Sequence, residues 1–287
     1  MTAALFPGQA RGAALIVVLW LVVLLAALVG AFVLTARVEH LQGRVLSEGV
    51  VAQEAARAGL EYAMERLDDP DPGQRWRSDG RDYDWRFGSA KVQVRVIDES
   101  GKIDLNLADA ALLTGLLQAA GVPQQQAAAL AGAMLDWRDS DDLAQPGGGA
   151  EDRDYAAAGL AYGAKDTAFE SVAEVEQVLG MTPALYARLA SSLSVNGAGL
   201  PQREFAPPLV LAAMGLDPQQ VLAERMARPP DGLIVGSGTY SIESRATLGS
   251  GRSAVLRAVV RAGGQGVAGS TASAYTILQW QEGAAAP

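Results

Sequence analysis

The sequence predicts an α+β fold: a long N-terminal helix packed on an antiparallel sheet, with a large all-α domain inserted in that sheet. Three observations carry this. An uncharged apolar run passes directly into an amphipathic pattern, together covering about Ala14 to Leu67. Strand-like alternation occupies residues 82–98 and returns after residue 240. Between them, from about Asn106 to Ala227, the pattern is mostly helical.

From Ala13 to Ala36 there are 24 consecutive residues without a formal charge. As a helix that run covers about 36 Å, enough to cross a hydrocarbon core. It is longer than the roughly 7–15 apolar residues of a cleaved secretory signal, so it reads as a retained span. Arg11 precedes it, and Arg37, Glu39, His40 and Arg44 follow it, so charge bias barely orients it. A short leader before some 250 residues favours a single span with the bulk outside the cytoplasm.

Beyond the span Val38, Leu41, Val45, Ala52, Ala56, Leu60, Ala63 and Leu67 recur near a 3.6-residue period, with charges between them. Asp69-Pro70-Asp71-Pro72-Gly73 then stops the helix. Two strands follow, Asp82–Phe87 and Lys91–Asp98, joined by Gly88-Ser89 with glycine at the first central position of a tight turn. Val92, Val94 and Val96 alternate with Gln93 and Arg95, as in a half-buried strand. Helices are expected at Leu107–Ala120, Pro123–Arg138, Val172–Leu179, Pro183–Leu193 and Pro218–Met226, several with proline in the first turn. Strands are expected again at Tyr240–Ala246, Val255–Arg261 and Ala274–Trp280.

Composition narrows the function. Of 287 residues 49% are apolar, ample for a core, and 32 acids against 23 bases give a net charge of −9. Cysteine is absent, which excludes disulfides, thiolate zinc sites and thiol nucleophiles. The single histidine, His40, excludes multi-histidine metal sites, and no GxSxG elbow accompanies the many serines. Two stretches reading helix, glycine turn, helix resemble DNA-binding hairpins, but almost no Lys or Arg flanks their turns. The expectation is a protein that is no enzyme and binds no nucleic acid. The tryptophans read as core or interface anchors.

The one site-like feature is acidic. Between Asp136 and Asp154, 19 residues hold seven carboxylates, Asp136, Asp139, Asp141, Asp142, Glu151, Asp152 and Asp154, against Arg138 and Arg153. Crowded carboxylates repel and raise one another's pKa. A hard cation relieves this, and oxygen ligands in flexible geometry suit calcium better than zinc or magnesium. Gly147-Gly148-Gly149 lets the loop fold back, and Asp166 adds a carboxylate from the next loop. The EF-hand template is not met, because Leu143 stands at its fifth position. A solvated acidic loop is the other reading of the same residues.

Several segments carry a resemblance. Arg11-Gly12-Ala13-Ala14-Leu15 resembles the processing signal of pilins and pseudopilins, where a prepilin peptidase cuts after the glycine and methylates the new N-terminus. Val17 stands at the fifth mature position, where most such proteins have glutamate. The stretches Val96–Asp109, Asp136–Asp142, Gly149–Tyr155, Ala164–Tyr186 and Ala274–Glu282 are similar, in this order, to the minor pseudopilin K family of type II secretion, a family that also lacks that glutamate. One local departure is Asp166, where members often have asparagine. The resemblance implies a pilin-like fold: a leader at 1–12, a membrane half-helix at 13–36, a pilin-like α/β domain at 37–99 and 236–287, and an inserted α-domain at 100–235. It implies processing at Gly12 and Ala13 and calcium in the α-domain. It further implies a single-pass inner-membrane protein, held in lipid with its bulk in the periplasm. Its partners would be the minor pseudopilins I and J, at the tip of a pseudopilus that exports folded proteins. The alternative is a membrane-anchored periplasmic binding module without prepilin processing.

Overall fold

A computed structural model describes residues 11–197, 199–229, 236–263 and 275–284, with side chains from residue 14 to 283 of these. The leader at 1–12 lies almost wholly outside them, as does Ala274, the expected start of the last strand. The chain divides into two units, Met1–Val51 and Ala52–Pro287.

Helix α1 spans Arg11–Leu67. In the first unit it is long and apolar enough to cross a membrane, and its apolar stretch is exposed. In the second unit the same helix changes character. Ala52, Ala55, Ala56, Leu60, Ala63 and Met64 are buried on one face, the spacing that puts a helix stripe against a sheet. At Gly59 a methyl group would overlap Ser244 Oγ and lie 2.7 Å from Val92 Cγ1, so glycine sets how closely helix and sheet approach.

The sheet has the order β1-β2-β5-β6-β7 and every pair is antiparallel. Its strands are β1 (Asp79–Phe87), β2 (Ala90–Asp98), β5 (Thr239–Thr247), β6 (Ser253–Ala262) and β7 (Tyr275–Ala284). Val92, Val94 and Val96 turn inward to the helix together with Ala246, Leu256 and Val260. Phe87 pairs with Ala90 across Gly88-Ser89, and Gly88 has φ +56°, the conformation that a type II′ turn asks of its first central residue.

Asp98 marks the point where the chain leaves the sheet and returns to it. Its buried carboxylate accepts the Ser100 N–H at 2.9 Å and the Ser100 hydroxyl at 2.6 Å. It also accepts the Ser237 N–H at 2.9 Å and the Ser237 hydroxyl at 2.7 Å. Between these residues lie β3 (Ile103–Asp104), α2 (Ala110–Ala119), α3 (Gln124–Asp136), α4 (Asp152–Ala157), α5 (Pro183–Leu189), β4 (Leu193–Ser194), α6 (Pro208–Ala213) and α7 (Pro218–Ala227). They close on a second core that includes Leu113, Leu117, Met134, Trp137, Tyr155, Leu189 and Leu211.

The fold is therefore α+β, with local departures from expectation. Helix α2 begins at Ala110 rather than Leu107, because the Asp109 carboxylate caps it by accepting the Leu112 N–H at 2.8 Å. The expected helix Val172–Leu179 is a 3-10 helix over Val172–Gln177. The expected helix Pro183–Leu193 ends at Leu189 and gives way to a 3-10 turn and then β4, which pairs in parallel with β3. Helices α4 and α6 were not expected, and β7 runs on past Trp280 to Ala284.

Candidate metal centre

The acidic run does not stay together. Asp136 ends α3, Asp139 lies one turn beyond it, and Glu151 stands at the start of α4. The chain between folds back, and one carboxylate oxygen from each of Asp136, Asp139 and Glu151 comes within 4.8 Å of the others.

Glycines make the return. Gly147 and Gly148 have φ +91° and +131°, a region that side chains other than glycine rarely enter. Gly148 packs its carbonyl on α3 at Gly132, where a methyl group would overlap the Gly148 oxygen. A methyl group on Gly149 would overlap Asp136 Oδ2. The turn thereby delivers backbone donors to Asp136, which accepts the Gln145 N–H at 3.1 Å and the Ala150 N–H at 2.7 Å. The Gln145 amide donates to Asp139 Oδ2 at 3.2 Å.

Two oxygens remain without a donor. Among the described residues, Asp139 Oδ1 and Glu151 Oε1 are buried and accept no hydrogen bond, a state that ordinarily costs about 1–3 kcal/mol, and more for a charged group. Glu151 is only 4% exposed. Its burial, and then the charges of Asp136, Asp139, Asp166 and Asp142, push its carboxyl up to about 7. Burial likewise raises Asp136, against the backbone N–H groups of Ala150 and Gln145 that stabilise its charge. Asp139 is raised by burial and then by Asp141. All three groups are thus held in surroundings that disfavour negative charge without a cation.

The other expected ligands stand elsewhere. Asp141 and Asp142 are exposed, and Asp141 accepts the Leu143 N–H at 2.9 Å in a local turn. Asp152 is exposed in the first turn of α4, and Asp154 caps that helix by accepting the Glu151 N–H at 3.0 Å. Asp166 is half-buried with φ +56°, and with Asp142 it acts on Glu151 through charge. Sequence reasoning missed Gln145 and Gly132. A lone amide within an acidic loop was the available signal for the first; nothing in the pattern of α3 marked the second. Gly12 and Ala13, the expected processing residues, lie in the first turn of α1.

Residues 94–198 match the family model described as type II secretion system (T2SS), protein K. This interval contains Asp136, Asp139 and Glu151. A solved structure, the GspK-GspI-GspJ complex from the enterotoxigenic Escherichia coli type 2 secretion system, contains a chain similar in fold. The TM-score is 0.52 at 16% identity, over 86% of this chain and 99% of that one. No curated protein matches the chain.

Proposed function

From the match of residues 94–198 to the model of the type II secretion system protein K family, we propose that the chain belongs to that family and is a non-enzymatic minor pseudopilin at the tip of a periplasmic pseudopilus. The observation that carries this reading is one helix, α1, serving two environments. Its first part is uniformly apolar and exposed, and its last two turns and more are buried against a five-stranded sheet. In this reading residues 13–36 lie in the inner membrane, prepilin peptidase removes residues 1–12, and the domain at 100–235 is inserted in a pilin-like domain formed by 37–99 and 236–287.

Val17 favours the tip. A subunit beneath another must neutralise the N-terminal amine of its neighbour in hydrocarbon, where an unpaired charge costs at least several kcal/mol. Val17 offers nothing to pair, so this subunit is the one that has none above it. Minor pseudopilins I and J are the partners this reading gives it.

The acidic site fits a hard cation. Its donors are all oxygens, and Asp139 Oδ1 and Glu151 Oε1 are the orphaned acceptors such an ion would satisfy. Calcium held by Asp136, Asp139 and Glu151 supplies positive charge that joins the end of α3 to the start of α4. Gln145 and the Gly147–Gly149 turn orient the carboxylates around it.

The test is co-purification. The full chain, expressed with pseudopilins I and J of the same system and extracted in detergent, should be recovered with both. Recovery of the chain alone, with I and J present in the extract, would sink the assembly.

A further inference from the structure

The two edges of the sheet are built differently. An exposed strand edge is a template for another chain, and proteins guard such edges with charge, irregularity or cover. Strand β1 is guarded: Arg81, Asp82, Asp84 and Arg86 lie along it, and its pairing shifts between Asp79 and Asp82. In β7 the described charged residue is Glu282, and Ile277 and Leu278 are 48% and 38% exposed. A bulge at Leu278 bends its first part, but Gln279–Ala284 pairs without interruption with β6, and among the described residues no strand pairs with its outer edge.

Beside this edge lies a cleft of about 540 Å³ between the outer face of the sheet and the segment from α5 to Asn196, within the roughly 300–1,000 Å³ typical of ligand sites. Gln279 and Gln281 of β7 form one side, and Tyr186 and Asn196 the other. The charges lining it are already paired. Lys102 Nζ is 2.7 Å from Glu99, Arg257 is 2.7 Å from Glu243, and Arg95 is 2.8 Å from Asp82 at the cleft margin. Nothing there calls for a counter-ion, so the cleft suits an uncharged ligand. Primary amides such as Gln279, Gln281 and Asn196 offer a donor and an acceptor in one plane, as a peptide group does. Val195 and Val259 add small apolar surfaces, and Tyr186 as the single aromatic ring there makes a poor stacking platform for a sugar.

Resting on the assembly proposed above, we infer that β7 takes up an extended, uncharged strand of a partner pseudopilin at Gln279–Ala284, with alternate side chains of that strand entering the cleft. Added strands of this kind gain affinity from backbone hydrogen bonds and specificity from alternate side-chain pockets. The two observations meet at Gln279 and Gln281, which belong both to the unguarded edge and to the cleft wall.

The absence of cysteine makes the test direct. Gln279→Cys, Gln281→Cys and, as the guarded-edge control, Asp84→Cys are prepared in the full chain, each labelled with a thiol-reactive benzophenone. Each is then assembled with pseudopilins I and J and irradiated. The expected result is adducts from positions 279 and 281 on one short segment of I or J, with at least tenfold less from position 84. A Gln279→Lys, Gln281→Lys double variant should reduce recovery of the partners at least tenfold while melting like the parent chain. Intact co-purification with adducts absent from 279 and 281, or equal at 84, overturns the inference and leaves the assembly standing. Adducts to an exported protein or a glycan in place of I or J overturn it too. If the parent chain recovers neither partner, the assembly itself falls and the inference falls with it.

Discussion

Replacing Glu151 by glutamine removes the charge of its carboxylate and keeps its shape. The unfolded chain releases that proton at about 4.5 and the folded chain only at about 7, so between these values the folded state binds more protons and stability falls as pH rises. Above pH 7 the whole cost is present. The rise from 4.5 to about 7 corresponds to a ceiling of about 3 kcal/mol, reduced to about 1–2 kcal/mol by water screening at the loop. In chelator at pH 8, Glu151→Gln should therefore melt above the parent chain, by about 2–8 °C at roughly 2–4 °C per kcal/mol. Calcium bound at the proposed site should reverse the order. Saturation at a hundredfold excess over Kd should add about 2.7 kcal/mol to the parent chain, some 5–11 °C on the same scale, and far less to the variant. Circular-dichroism melts of the full chain in detergent, with and without calcium, read both differences. If Glu151→Gln melts below the parent in chelator and still gains the full calcium increment, the Glu151 carboxylate is neither strained by its burial nor a ligand.

Other expectations follow from the same contacts. Gly132→Ala drives a methyl group into the Gly148 carbonyl, which should cost about 1–3 kcal/mol; titration calorimetry should also find weakened calcium binding although every carboxylate remains. Asp98→Ala strips the acceptor from four donors at the junction of sheet and insertion, and a loss of at least about 3 kcal/mol is expected in melts, with Asp98→Asn between the two. Burial would raise Glu174, but Lys165 at 2.7 Å and the N–H groups of Glu170 and Ser171 outweigh it and hold its carboxyl below the ordinary value. Its contribution is present above pH 4.5 and lost as pH falls through the lower folded value, so the melting gap between the parent chain and Glu174→Gln should be widest at neutral pH and close in acid.

What the sequence revealed was what local pattern determines. The break at Asp69–Gly73, the Gly88-Ser89 turn and the valine alternation in β2 are each read within a few residues. The pairing of β3 with β4 joins Ile103 to Leu193, two residues on each side and far apart in the chain, so no periodicity announces it. The candidate site divides in the same way. Counting charges found the carboxylates, but which of them converge depends on the approach of Gly148 to Gly132, and packing across a loop leaves no mark in composition. Hence Asp152 and Asp154, within three residues of Glu151, serve the start of α4 while Glu151 turns inward to Asp136 and Asp139.

A pseudopilin is processed before it assembles, so the mass of the N-terminal peptide is the decisive measurement for the proposed function. Expressed with its prepilin peptidase and digested from the membrane fraction, the chain should yield an N-terminal peptide that begins at Ala13 and carries one additional methyl group on its amine. A chain still beginning at Met1 in the presence of active peptidase would mean that it is not processed as a pseudopilin.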